Sequence, residues 1–192
     1  MTNSYTYFTA LRETISKLPC AEIDRVVDLL ADTFDRGRAV YVFGNGGSAA
    51  LASHFACDLA KGTINGNPKR FRVLALTDNI PLMTAWANDS SYEDIFAEQL
   101  KNFVRPRDIA LAISGSGNSP NVLKALTVAR SAGATTVGLT GFRGGKMKSL
   151  CDHCVVIPCD NMQMIEDLHV AAAHALFTCL CHRLHERAAI CA

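Results

Sequence analysis

Residues 39–48 read Ala-Val-Tyr-Val-Phe-Gly-Asn-Gly-Gly-Ser, AVYVFGNGGS. Five apolar residues run into glycines at 44, 46 and 47, and then into Ala49–Lys61, whose apolar spacing is helical. A continuous apolar strand that turns sharply into a helix opens a parallel β–α unit covered on both faces.

The alternation repeats outward from there. Arg72–Leu76, Ile109–Ile113, Thr135–Leu139 and Cys154–Ile157 are predicted strands. Pro81–Asn88, Tyr92–Phe103, Pro120–Ser131, a short segment after Gly141–Gly145, and a long segment from Gln163 to about Glu186 are predicted helices. Upstream, residues 5–18 and 21–36 are amphipathic. Leu11, Ile15 and Leu18 share a face in the first, and Ile23, Val26, Val27, Leu30 and Phe34 in the second. Pro19 separates the two and Gly37 ends the second. The expected fold is a three-layer α/β/α domain: a doubly wound, flavodoxin-like, five-stranded parallel sheet with two N-terminal helices.

A length of 192 residues, 49% hydrophobic, suits one domain with a sizeable core. Nineteen basic against 18 acidic residues leave a net charge of +1. That balance gives no electrostatic footprint for nucleic acid or an anionic membrane, so neither is an expected partner. An anionic substrate must be held by local donors. No apolar run reaches the roughly 18–20 residues of a membrane span. The start, MTNSYTYFTALRETISKL, lacks a signal peptide's basic start and apolar run, so the expected location is cytoplasmic. Eight cysteines sit mostly in apolar helix- or strand-like stretches of a chain unlike a short secreted disulfide scaffold. Cys151-Asp-His-Cys154 has CxxC spacing but no second pair of zinc-finger spacing, and reads as free thiols around a strand.

Ligands of open parallel sheets bind at the carboxyl ends of the strands. Two loops fall there. Gly44-Asn45-Gly46-Gly47-Ser48 allows close backbone approach, offers helix N–H groups, and adds Asn45 and Ser48 as donors. Ser114-Gly115-Ser116-Gly117-Asn118-Ser119 offers three hydroxyls at the next helix N-terminus, with no lysine or arginine. A plain reading makes Ser119 an N-cap with Pro120 at the first helical position. It leaves Ser114 and Ser116 unexplained, so the loop is expected to bind phosphate. A third constellation lies on helices. His54 and Asp58 are four apart, Glu166 and His174 eight apart, so each pair shares a helical face. Such residues suit a divalent metal or acid/base work, and equally solvated faces with satisfied histidines.

GNGGS, HFACDLAKG, TDNIPLMTAWAND, ISGSGNSPNV, LTGFRGGKM and the E-D-L-H-x₄-H helix together resemble the bacterial phosphoheptose isomerases of the sugar isomerase (SIS) superfamily, from about residue 5 to 185. The resemblance implies an aldose–ketose isomerase that interconverts sedoheptulose 7-phosphate and a manno-heptose 7-phosphate. It implies a homotetramer with sites built between subunits and a zinc ion, one per subunit. Residues 1–37 would then be a helical oligomerisation segment and 38–187 the sugar-phosphate core. Ser114, Ser116 and Ser119, with Gly115, match the phosphate loop. Asn45, Gly46, Gly47 and Ser48 match the first substrate loop, and Asp89 a further polar contact. His54, Asp58, Glu166 and His174 fall where the family has His, Glu, Gln and His as its metal and catalytic set. Asp58 is expected as the base and His174 as the acid, with Glu166 also near substrate. Glu has become Asp and Gln has become Glu, and Gly115 stands where many members carry Thr. The competing expectation is a non-catalytic SIS protein, a sugar-phosphate sensor or a binder of a replication initiator. His174 favours the enzyme, because the resemblance suggests the initiator-binding branch lacks that histidine.

Overall fold

The computed structural model describes residues 3–64 and 69–190. Cys191 lies outside them. Two helices, α1 (Ser4–Ile15) and α2 (Cys20–Asp35), precede the sheet. Then follow β1 (Ala39–Gly44), α3 (Gly47–Cys57), β2 (Arg72–Ala75), α4 (Ile80–Asp89), α5 (Ala97–Phe103), β3 (Ile109–Ser114), α6 (Pro120–Ser131), β4 (Thr135–Thr140), α7 (Met147–Leu150), β5 (His153–Val156) and α8 (Met162–Ile190). All strand pairs are parallel, in the order β2-β1-β3-β4-β5. The direction of winding therefore reverses between β1 and β3, and the crevice at that switch point is where such sheets bind ligands.

Alternate strand residues feed two cores. Val40, Val42, Ile109, Leu111, Ile113, Val137 and Leu139 face α2, α3 and α8, while Tyr41, Phe43, Ala110 and Ala112 face α5 and α6. At the amino end of the sheet, buried Asp108 accepts the N–H groups of Ala39 and Arg105 at 2.9 and 2.8 Å. This carboxylate closes the end opposite the site.

Three sequence expectations change. The edge strand β2 is exposed at Arg72 and Leu74, alternate residues that share one face, instead of being buried on both faces. Helix 92–103 is broken: residues Tyr92–Asp94 form a 3₁₀ turn before α5 starts at Ala97. Ser90 and Ser91 hydroxyls and the Lys124 ammonium all converge on the Asp94 carboxylate, which competes with a continuous helix. The lysine and both hydroxyls hold that carboxyl well below the usual range. Third, α3 passes at Asp58–Gly62 into a π-helical turn, where Gly62 packs so closely on Phe177 of α8 that a Cβ there would lie 2.2 Å from the ring.

The apolar face read for α2 lies in the main core. Val26, Val27, Leu30, Ala31 and Phe34 are buried in the main core, a contribution of roughly 1.5–3 kcal/mol for each large side chain. Arg183 and Arg187 of α8 pair with Asp28, Asp32 and Asp35 of α2 along its outer edge. Only α1 stands apart, with Thr14 its single buried residue. Helix α8 is long and apolar enough to cross a membrane by length and composition. Here Ile165, Leu168, Ala172, Ala173, Leu176 and Leu180 lay one stripe of it into the core.

Candidate functional site

The loops after β1 and β3 meet at the switch point. They line a hollow of about 150 Å³ with Asn45, Ser48, Ser114, Gly115, Ser116, Ser119 and Glu166. Ser119 is the N-cap residue of α6, but its hydroxyl makes no capping bond. It lies 3.2 Å from the Ser114 hydroxyl instead, so both point into the hollow's wall. Gly46, the N-cap of α3, carries no side-chain cap either. Two helix N-termini thus reach the hollow without side-chain caps, which is the arrangement that accepts an anion. Gly115 leaves room for a neighbour: a Cβ there would lie 2.5 Å from the Met162 sulfur. A thioether therefore stands where a threonine side chain would project.

Asn45 is committed to holding the loops together. Its amide donates to Asn121 at 2.9 Å and accepts from Asn121 at 2.8 Å, and the Tyr92 hydroxyl donates to it at 3.2 Å. Asp89 is not brought to the hollow. It ends α4, a helix without a buried residue, and its carboxylate accepts from neighbouring Asn88 at 2.7 Å.

His54, Asp58 and His174 come together on the outer face where α3 meets α8. Their three ligand atoms lie within 4.8 Å of one another. The two histidine Nε2 atoms are 2.9 Å apart, and His54 Nε2 is 3.4 Å from Asp58 Oδ2. Glu166 does not join them. Eight residues of α8 separate it from His174, about 12 Å of axial rise. Its carboxylate instead lies against Gly47, where a Cβ would sit 3.3 Å from Oε2. The trio is also not at the carboxyl edge of the sheet. α3 runs away from that edge, and His54 is six residues beyond Ser48, about 9 Å of rise.

A second hollow, about 230 Å³, adjoins the first through Ser48 and Glu166 and is also lined by Gly47, Leu51, Asp167, His169 and Val170. Asp167 accepts a 2.5 Å hydrogen bond from Tyr7 of α1, and that bond pushes the phenol up to about 12. His169 was not singled out from sequence, although it stands inside the E-D-L-H-x₄-H pattern. It is 1% exposed and neither ring nitrogen has a well-formed hydrogen bond. Burial holds its pKa down to about 4, against a weaker pull from the Thr140 carbonyl. Between pH 6.5 and 4 the unfolded chain binds a proton there that the folded chain refuses, so stability falls as pH drops through this window. The loss approaches about 3 kcal/mol at its lower end. Urea midpoints of the protein and His169→Gln should therefore converge as pH falls from 7 to 4. Parallel curves would show that His169 is not the source.

Ser116→Ala combined with Ser119→Ala should weaken sugar-phosphate binding by roughly 1–3 kcal/mol, the scale of hydrogen bonds lost from a charged group. Unchanged affinity by calorimetry would remove the loop from the site.

Residues 5–141 match the SIS domain family. Phosphoheptose isomerase of Paramagnetospirillum magneticum is 43% identical over 152 residues, 79% of each chain. Phosphoheptose isomerase of Akkermansia muciniphila is 39% identical over 153 residues, 80% of each chain. Among solved structures, a phosphoheptose isomerase from Francisella tularensis superposes with a TM-score of 0.86 at 28% identity, covering 93% of this chain and 96% of that one.

Proposed function

From the premise that this chain belongs to the phosphoheptose isomerase family of SIS-domain proteins, we propose that it isomerises sedoheptulose 7-phosphate to D-glycero-D-manno-heptose 7-phosphate. The observation that carries this reading is the spacing of two chemistries along one face. An anion-accepting serine loop lies at the switch point, and a His/Asp/His trio lies about 9 Å further down α3. A sugar phosphate whose reacting carbons are remote from its phosphate fits that separation.

The phosphate sits on the hydroxyls of Ser114, Ser116 and Ser119 and on backbone N–H groups at the start of α6. Gly46, Gly47 and Ser48 bring backbone and hydroxyl donors to the sugar, with Glu166 across from them. Conversion of ketose to aldose moves a proton from C1 to C2 through an enediol. Asp58 takes the C1 proton and returns it at C2. His174 donates to the C2 carbonyl oxygen as the enediol forms and takes the proton from O1 as the new carbonyl forms. His54, in contact with both, orients them.

The same trio fits a divalent cation. Two imidazole nitrogens and one carboxylate oxygen are donors that zinc accepts, and their mutual separations require only small adjustments to share an ion. We assign His54, Asp58 and His174 as the residues that would hold zinc; bound there, the metal would supply Lewis-acid polarisation of the sugar oxygens in place of the proton His174 donates in the metal-free site. Glu166 stands outside this set, at the serine loop.

The reading includes a homotetramer in the cytoplasm, the compartment in which membrane-impermeant sugar phosphates are held. Tyr5, Phe8 and Ile15 on α1 are 78%, 64% and 49% exposed, an apolar face that a second subunit would cover. Another subunit could also bring Asp89 over the switch point. Light scattering is expected to give four times the 20.7 kDa chain mass, and Tyr5→Glu with Phe8→Glu to shift it downward. A monomeric wild-type chain would rule out shared sites.

The test of activity is ¹H NMR with sedoheptulose 7-phosphate in D₂O. Loss of the C1 proton signal and appearance of the aldose are expected, whereas binding without exchange would support a sugar-phosphate sensor instead.

A further inference from the structure

The isomerase reading makes no use of Cys151-Asp-His-Cys154. Cys151 follows the last turn of α7, and Cys154, in β5, pairs in register with Gly138 of β4. A Cβ on Gly138 would lie 2.9 Å from Cys151 Sγ and 3.4 Å from Cys154 Sγ. Both sulfurs therefore occupy the hollow left by the missing side chain, and their separation cannot exceed those two distances combined.

The intervening residues are held elsewhere. The Asp152 carboxylate accepts from the Thr136 N–H at 2.8 Å and from its hydroxyl at 2.9 Å. His153 Nδ1 lies 3.1 Å from Glu22. These contacts pin the bend between α7 and β5 and engage the Asp152 and His153 side chains with Thr136 and Glu22. No third ligand approaches: among the described residues the only candidate metal group is the trio on α3 and α8. A closed structural zinc site needs four donors.

The two thiols differ in character. Hydrogen-bond contact with Cys151 draws the Cys154 thiol down, aided by nearby Lys148, while the same contact and burial push Cys151 up. Both are partly accessible. Two partly exposed sulfurs in contact, one drawn down and its neighbour pushed up, have the features of an attacking and a resolving cysteine. Cys179 and Cys181 do not compete, because residues two apart on a helix point to different sides.

We propose that Cys151 and Cys154 form a redox-active dithiol site that closes to an intramolecular disulfide against a small-molecule disulfide such as oxidised glutathione. Cys154 thiolate attacks one glutathione sulfur and releases one glutathione thiolate. Cys151 then loses its proton and attacks Cys154 sulfur in the mixed disulfide, releasing the second glutathione. The protein pair gives up two electrons and two protons, and one oxidised glutathione becomes two reduced molecules.

The experiment treats the intact protein with oxidised glutathione, blocks free thiols by alkylation, and maps peptides by tandem mass spectrometry. The expected result is a peptide two hydrogens lighter, with the link at Cys151–Cys154 and no label on either. Cys151→Ser should arrest as a glutathione adduct on Cys154, and Cys154→Ser should leave Cys151 alkylatable. Melting temperatures of the serine variants are compared with the parent to establish that they fold. Two free, alkylatable thiols in the treated wild type, or a stable glutathione adduct on its Cys154, would overturn the proposal.

Discussion

His174→Ala is expected to slow proton exchange at C1 of sedoheptulose 7-phosphate by about 10²–10⁴-fold, the scale of a lost acid/base group. Its melting temperature should stay nearly unchanged, because the side chain is exposed and rests mainly on His54 at 2.9 Å. Asp58→Asn should lose a similar factor. It keeps the shape of the side chain and removes only the basic oxygen. Asp58→Glu is the informative partner. Aspartate is one methylene shorter than the family's glutamate, and about 1 Å of misplacement can cost on the order of 100-fold. The longer side chain should hold or raise the rate. The π-helical turn that begins at Asp58 sets this carboxylate 3.4 Å from His54, so the shorter residue already reaches the trio. Full exchange in His174→Ala would dismiss the trio from catalysis and move attention to Glu166 in the upper hollow.

Gly117→Ala should be the most damaging change outside the trio, with a loss of roughly 2–5 kcal/mol of stability from backbone strain and overpacking together. Gly117 has φ +64°, and an added Cβ would lie 2.2 Å from the Gly144 carbonyl oxygen and 2.8 Å from Thr140 Oγ1. These are backbone and buried atoms that cannot step aside cheaply. The loop is held in place there: Gly117 N–H donates to Ser114 at 3.0 Å, and Met147 N–H donates to the Gly117 carbonyl at 3.0 Å. Forcing them apart displaces Ser116 and Ser119 together, so sugar-phosphate binding should disappear with the stability. Gly46→Ala is the control. Gly46 has φ +56° but nothing within 4 Å of its Cβ position, so only strain is added. Equal losses from both variants in urea unfolding would refute the packing argument.

Much of this molecule was legible from local pattern. Apolar runs such as Ile109–Ile113 and the glycines after Phe43 announce parallel strands and their turns, because strand burial and turn chemistry depend on neighbours a few residues away. Helical phase alone put His54 with Asp58 on one face. The tertiary structure decided what lies beyond that range. It set the strand order that brings Ser48 and Ser116 to one hollow, and it placed His174 against His54 across 120 positions of sequence. It drew α2 into the core, left β2 exposed at the sheet edge, and sent Glu166 to the serine loop, away from the trio. It also buried His169, one polar residue among several in α8 whose pattern does not show which will lose water. Periodicity specifies which residues share a face. What that face meets, and therefore which group is desolvated, paired or left open to a ligand, is settled only by packing between elements distant in the chain.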